Sequence, residues 1–214
     1  MRTLIISFML VAGALPETAL AQEVTVMFAS RYLDTSTYNE VFSNEPVLQV
    51  EGQASVTDHL YVSAYVYSGF TKPFADKSSE YGFELGGNWD IAERTEVNIA
   101  VGRYANYEGR GWHEGDWYGK VGLTHGQATV SASVLSGVTD SVLIRAEYEL
   151  LRRDRLTVRP SVAYLTDENT FNPALEVNYR LRDKLSFGAR AVMPTSKATS
   201  SRKLYVALTL TGSF

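Results

Sequence analysis

The chain has 214 residues, a formal net charge of −4 and no cysteine. Disulfides and thiolate metal sites are therefore excluded, and the mild acidity argues against a nucleic-acid partner. What remains after a short leader is the size of a single domain.

The leader is an export signal. Arg2 supplies a positive start, Leu4 to Ala14 a short apolar core, Pro16 interrupts it, and Ala19-Leu20-Ala21 has the small-x-small form of a signal-peptidase site. The apolar run is too short for a membrane-spanning helix, which takes about 20 residues. Cleavage after Ala21 is expected, leaving a signal peptide over 1–21 and one domain over 22–214. No cysteine follows the apolar core, so a lipid anchor is not expected.

Beyond Gln22 the chain alternates with period two, the signature of strands with one apolar and one polar face. Val24, Val26 and Phe28 stand opposite Thr25, Met27 and Arg31; Leu48, Val50, Ala54 and Val56 stand opposite Gln49, Glu51 and Gln53. Leu60 to Val66 faces Tyr61 to Tyr67, and Tyr81, Phe83, Leu85, Trp89 and Ile91 face Glu84, Asn88 and Asp90. A fifth strand sets Val97, Ile99 and Val101 against Asn98 and Ala100, and a sixth sets Trp117, Val121 and Leu123 against Tyr118, Lys120 and Thr124. Val130 to Val134 follows, opposite Thr129, Ser131 and Ser133, and then Val142 to Tyr148 opposite Arg145, Glu147 and Glu149. Leu156 to Tyr164 faces Thr157, Arg159 and Ser161; Leu175 to Leu181 faces Glu176, Asn178 and Arg180; Leu185 to Ala191 faces Ser186 and Arg190. The last strand, Leu204 to Phe214, makes about twelve.

The links between strands sort into two kinds. Short turns lie at Thr57–His59, Ala92–Arg94, His125–Gly126, Arg152–Asp154 and Arg182–Lys184. Longer links lie at Asp34–Glu45, Thr71–Ser79, Asn106–Glu114, Thr166–Asn172 and Pro194–Arg202, with Gly137–Asp140 a shorter exception. Long and short links in alternation suit a transmembrane antiparallel up-and-down β-barrel with short periplasmic turns and longer extracellular loops. An even strand number then places both termini on the periplasmic side. Hairpin parity sets Asn88 opposite Asn98, Glu147 opposite Arg159 and Glu176 opposite Arg190, and facing opposite charges are mildly favourable.

Alternation alone does not say which face points outward. Charges at mid-strand fill the polar face, aromatics on the apolar face cluster near strand ends, and the strands have the length of a tilted membrane crossing, about 9–11 residues. The apolar face is therefore expected to meet outer-membrane lipid and the polar face to line the lumen. The lumen-lining candidates are Glu51, Glu84, Lys120, Arg145, Glu147, Arg159, Glu176, Arg180 and Arg190. Their charges nearly balance, so no single-sign track is visible. Small inner residues (Ser63, Gly82, Gly86, Ala100, Gly122, Ser131) leave space, while Tyr61, Tyr65, Tyr67, Tyr118 and Tyr205 occupy it. Arg103 has lipid-facing parity but lies near the outer rim, where its cost is small and it can snorkel. A bulge at Gly102 is the other way to accommodate it.

No enzyme constellation is legible. His59 and His125 fall in turns at one end and His113 in a loop at the other, and neither metal-ligand spacing nor a phosphate-cradling loop is present. The stretch from Tyr107 to Tyr118 is the densest in aromatics and charge, and Tyr107, Arg110 and Trp112 are its candidates for contact with an extracellular ligand.

Ser30-Arg31-Tyr32, Asp116-Trp117-Tyr118 and the closing Gly212-Ser213-Phe214 resemble small twelve-stranded Gram-negative outer-membrane barrels, both narrow porins for acidic sugars and a TorF-like group. The resemblance implies bacterial outer-membrane location and a last strand, ending in Phe214, that the barrel-assembly machinery reads. It also implies a porin-like channel without cofactor or metal. The dense lumenal arginine ladders of the acidic-sugar channels are not evident here. The expected function is a narrow passive channel for small polar solutes. A side-chain-filled structural or adhesion barrel is the alternative, and a membrane-embedded enzyme the third.

Overall fold

The computed structural model describes residues 22–29, 46–69, 79–108, 111–112, 115–135, 142–166, 169–193 and 204–213. The expected signal peptide, Arg110, His113 and Phe214 lie outside them. Fourteen elements follow in order: β1 (Gln22–Ala29), β2 (Val47–Ser55), β3 (Leu60–Gly69), β4 (Ser79–Ala92), β5 (Thr95–Glu108), β6 (Gly111–Trp112) and β7 (Trp117–His125). After them come β8 (Ala128–Leu135), β9 (Val142–Tyr148), β10 (Leu151–Arg153), β11 (Leu156–Leu165), β12 (Thr170–Arg182), β13 (Leu185–Val192) and β14 (Tyr205–Ser213).

They form one closed antiparallel barrel of twelve strands. β6 is a two-residue pairing partner of the long end of β5, and β9 and β10 are two parts of one broken strand, both paired with β11. The seam between β1 and β14 runs from Glu23↔Ser213 to Ala29↔Ala207, as extensive as any other pairing. A barrel in lipid needs this, because an unpaired edge would leave backbone N–H and C=O groups without partners. The same pairing puts the start of β1 and the end of β14 at the rim that carries the short turns.

Burial is inverted relative to a water-soluble barrel. Leu85, Ile99 and Val121 are 50%, 53% and 51% exposed on the outside, whereas Ala100 and Tyr118, inward on the same strands β5 and β7, are buried. Such a continuous apolar exterior suits hydrocarbon, not water. Aromatics mark both borders: Trp89, Tyr148, Tyr179 and Phe187 near the short turns, and Tyr81, Trp117, Tyr164 and Phe171 near the long links. Tyr164 and Phe171 stack at 4.5 Å, and Phe83 meets Trp117 edge-on at 6.0 Å. Arg103 is paired between Phe83 and Trp117 on this outer face. Its guanidinium lies 5.7 Å from the Trp117 ring centre and its Nε donates to Gly115 O at 3.4 Å. The register runs unbroken through Gly102, so no bulge is needed.

One hairpin departs from the expected register. Asn88↔Asn98 and Glu176↔Arg190 pair as parity requires, but Glu147 faces Ser161, not Arg159. The cause is the centre of the hairpin, which lies at Asp154 and not at Arg153 and so moves the partner of Glu147 by two residues. The strand also holds one extra residue, with Leu150 and Leu151 both opposite Val158, so that β9 pairs with β11 in one register and β10 in another, shifted by a residue. Leu150 and Leu151 are thus consecutive leucines with no polar residue between them. Pro160 explains the place of the break. Leu150 N donates to Val158 O at 3.0 Å, so residues 158 and 160 both turn their backbone polar groups toward β9–β10. Proline has no N–H to give there, and a bulge is where a central sheet tolerates one.

Candidate functional site: a lumen in two halves

The inward residues of all twelve strands make one lumen, but its two halves differ. Toward the long links it is packed. Met27, Ala29, Val47, Tyr65, Tyr67 and Ala207 form one buried cluster, and Tyr118, Leu143, Ala163 and Leu165 form another. Tyr104 joins both. Val47 is fully covered and Leu165 only 2% exposed. These apolar residues have the inward parity of their strands and fill space that a wide pore would leave to water.

The tyrosines are seated by glycines on the neighbouring strand. Tyr65 pairs with Gly82, Tyr61 with Gly86 and Tyr118 with Gly102. A Cβ on any of the three would stand 2.4 Å or less from the paired ring. The missing side chain lets each ring lie along the wall instead of across the lumen, and the phenol then reaches a carboxylate on β4. Tyr61 donates to Glu84 at 2.8 Å and Tyr118 to the other oxygen of Glu84 at 3.0 Å. Tyr65 and Tyr67 both donate to the buried Glu80. Asn98 donates to Tyr61 Oη at 3.2 Å and to Asn88 Oδ1 at 2.8 Å, extending the network toward the short turns.

Toward the short turns the lumen opens into a cavity of about 740 Å³, bordered by Glu23, Glu51, Arg159, Arg180, Arg190 and Thr209 among others. Here the contacts are ionic. Arg145 pairs with Glu147 at 2.9 Å, and Arg159 with Glu149 at 3.4 Å and Glu176 at 3.9 Å. Arg152 reaches Glu149 at 3.4 Å, and Arg180 donates to Asp154 O at 2.6 Å. All nine expected lumenal residues have inward parity, Lys120 among them, although Arg180 sits at the rim. Glu80, Glu149 and Val47 belong with them and were not among the candidates. Tyr107 and Trp112 fall at the end of β5 and in β6, extending the wall beyond the barrel rim. His59 Nδ1 lies 3.1 Å from Asn88 O and His125 Nδ1 lies 2.8 Å from Thr95 Oγ1, both at the short-turn end.

Charge is not mixed evenly around the ring. The described inward residues of β1–β5 carry Glu23, Glu51, Glu80, Glu84, Asp90 and Glu96 and no cation. Those from Asp116 through β14 carry Lys120, Arg145, Arg152, Arg159, Arg180 and Arg190, with the four carboxylates Asp116, Glu147, Glu149 and Glu176. In the strand order β2 is diametrically opposite β9, β3 opposite β11, β4 opposite β12 and β5 opposite β13.

Comparison with known proteins bears on the fold. No protein-family model and no curated protein matches the chain. Among solved structures, KdgM porin superposes with a TM-score of 0.60 over 90% of this chain and 99% of that one, at 7% identity. The outer membrane protein Omp33 of Acinetobacter baumannii gives 0.56 over 93% and 100%, at 12% identity. The COG4313 outer membrane channel from Pseudomonas putida F1 gives 0.52 over 94% and 97%, also at 12%. The chain has the fold of the small twelve-stranded outer-membrane barrels, and its apolar girdle belongs in that membrane.

Proposed function

We propose that the protein is a narrow passive channel for small polar solutes, with the short-turn rim on the periplasmic side. The observation that carries this reading is the 740 Å³ charged cavity in the short-turn half of the lumen. A barrel that only needed to be solid would not keep so many arginines and carboxylates around open space, since ordering and partly desolvating them is costly. The similar barrels KdgM porin and the COG4313 outer membrane channel support it at the level of fold. KdgM porin has also been solved with disordered oligogalacturonate. The carboxylate wall of β1–β5 would repel such a polyanion, so that solute is not carried over.

The packed half favours a second reading, a non-transporting structural barrel closed by Tyr65, Tyr67, Tyr104 and Tyr118. Single-channel recording of the refolded protein in a planar bilayer separates the two. Discrete steps that change in size or selectivity with Arg159→Ala and Glu147→Ala support the channel. A silent bilayer, with heat-modifiable folded protein on a gel, leaves the closed barrel.

A further inference from the structure

We infer that the lumen is polarised across its width and prefers dipolar solutes, small molecules carrying an ammonium and a carboxylate, over neutral ones of the same size. The inference rests on the channel reading and deepens it to a substrate class.

The two walls satisfy their carboxylates differently. On β4, Glu80 and Glu84 accept hydrogen bonds from tyrosine hydroxyls. A neutral donor steadies a carboxylate without cancelling its charge. On the opposite wall three carboxylates are met by arginines: Glu147 by Arg145, Glu149 by Arg152 and Arg159, Glu176 by Arg159. Six cations against four carboxylates leave that wall net positive, whereas the described inward charges of β1–β5 are carboxylates with no cation among them. Lys120 on β7 acts electrostatically on Glu51 and softens the contrast there. Both walls border the same cavity, with Glu23 and Glu51 on one side and Arg159, Arg180 and Arg190 on the other.

A lumen with opposed signs imposes little net preference on a single ion, because one wall attracts what the other repels. A solute with both charges gains from both walls once it lies crosswise. The gain is electrostatic and falls as salt screens it, with a Debye length of about 8 Å at physiological ionic strength and about 3 Å at 1 M.

Osmotic swelling of proteoliposomes containing the refolded barrel tests this with two size-matched probes, the zwitterion β-alanine and neutral lactamide. At low salt the wild type should admit β-alanine about threefold faster, which is roughly 0.7 kcal/mol at 1.4 kcal/mol per tenfold. The ratio should approach one in 1 M salt and in Glu51→Gln/Glu84→Gln, whose amides keep the shape; at position 84 the amide oxygen accepts from one tyrosine and the amide nitrogen donates to the other. Lactamide entry with no faster entry of β-alanine overturns the inference and leaves the channel standing. A ratio unchanged in the double variant also overturns it. Entry of neither probe, with the barrel folded by gel, overturns both.

Discussion

The two halves of the lumen use the same strands and the same alternation for different ends. In β14 the inward residues pass from Tyr205 and Ala207, buried in the packed half, to Thr209 and Thr211, which border the cavity. In β1 the passage runs from Ala29 and Met27 to Thr25 and Glu23. Along a single strand the lumen thus changes from a protein core to a solvated vestibule. The packed half should therefore set the stability of the barrel, and the vestibule what crosses it.

Substitutions can break or sharpen that division. The largest stability effect is expected for Leu165→Ala, which empties a fully covered site in the packed half and should cost about 2–5 kcal/mol in urea unfolding. A cost no greater than that of Thr209→Ala, at the cavity, would show that the packed half is not a core. Gly102→Ala comes next. Its methyl group would collide with the Tyr118 ring, so overpacking should cost about 1–3 kcal/mol. The displaced ring should also shrink the unitary conductance, and an unchanged conductance would remove Tyr118 from the narrow part.

Arg159→Ala acts in the vestibule, where its side chain is 43% exposed and water can replace the lost contacts. Its stability cost should stay within about 1 kcal/mol, while ion selectivity shifts toward cations in reversal-potential measurements. A large loss of stability with unchanged selectivity would reverse the roles given to the two halves. The smallest effect is expected from deleting Leu150. Removing that residue restores one register through β9 and β10 and leaves every other side chain on its face, so the change should stay within about 1 kcal/mol. Deleting Ala132 from β8, which has no bulge, should instead flip the strand's faces and prevent folding. Equal tolerance of the two deletions, by heat-modifiability on a gel, would contradict the bulge assignment.

Most of the wall was legible from the chain. Alternation identified the outward band, the sorted links gave the hairpins, and parity found Asn88–Asn98 and Glu176–Arg190 because the bulge beside each turn leaves the pair equally far from one turn residue, Glu93 or Asp183. The Glu147–Arg159 pairing failed because the pairs of β9 and β11 are centred on Asp154, one residue beyond the Arg153 that parity assumed. The doublet Leu150-Leu151, which breaks the alternation, and Pro160 in a central strand mark the bulge in the same strand. Glu80 was missed because β4 begins at Ser79, inside what composition marks as a loop. The polarised lumen was hidden by adding its charges together. Their sum is small, and the separation appears only when each charge is assigned to its strand in the ring.

The most direct test uses the absence of cysteine from the chain. Thr209→Cys and Ala207→Cys place single thiols two residues apart on the same inward face of β14, one bordering the cavity and one in the packed cluster. The measurement is the current through each variant in a planar bilayer during exposure to a charged, water-soluble methanethiosulfonate. The account predicts a prompt fall of current for Thr209→Cys and a much slower response, or none, for Ala207→Cys. Equal responses would contradict the two-part lumen, and no current from either folded variant would contradict the channel itself.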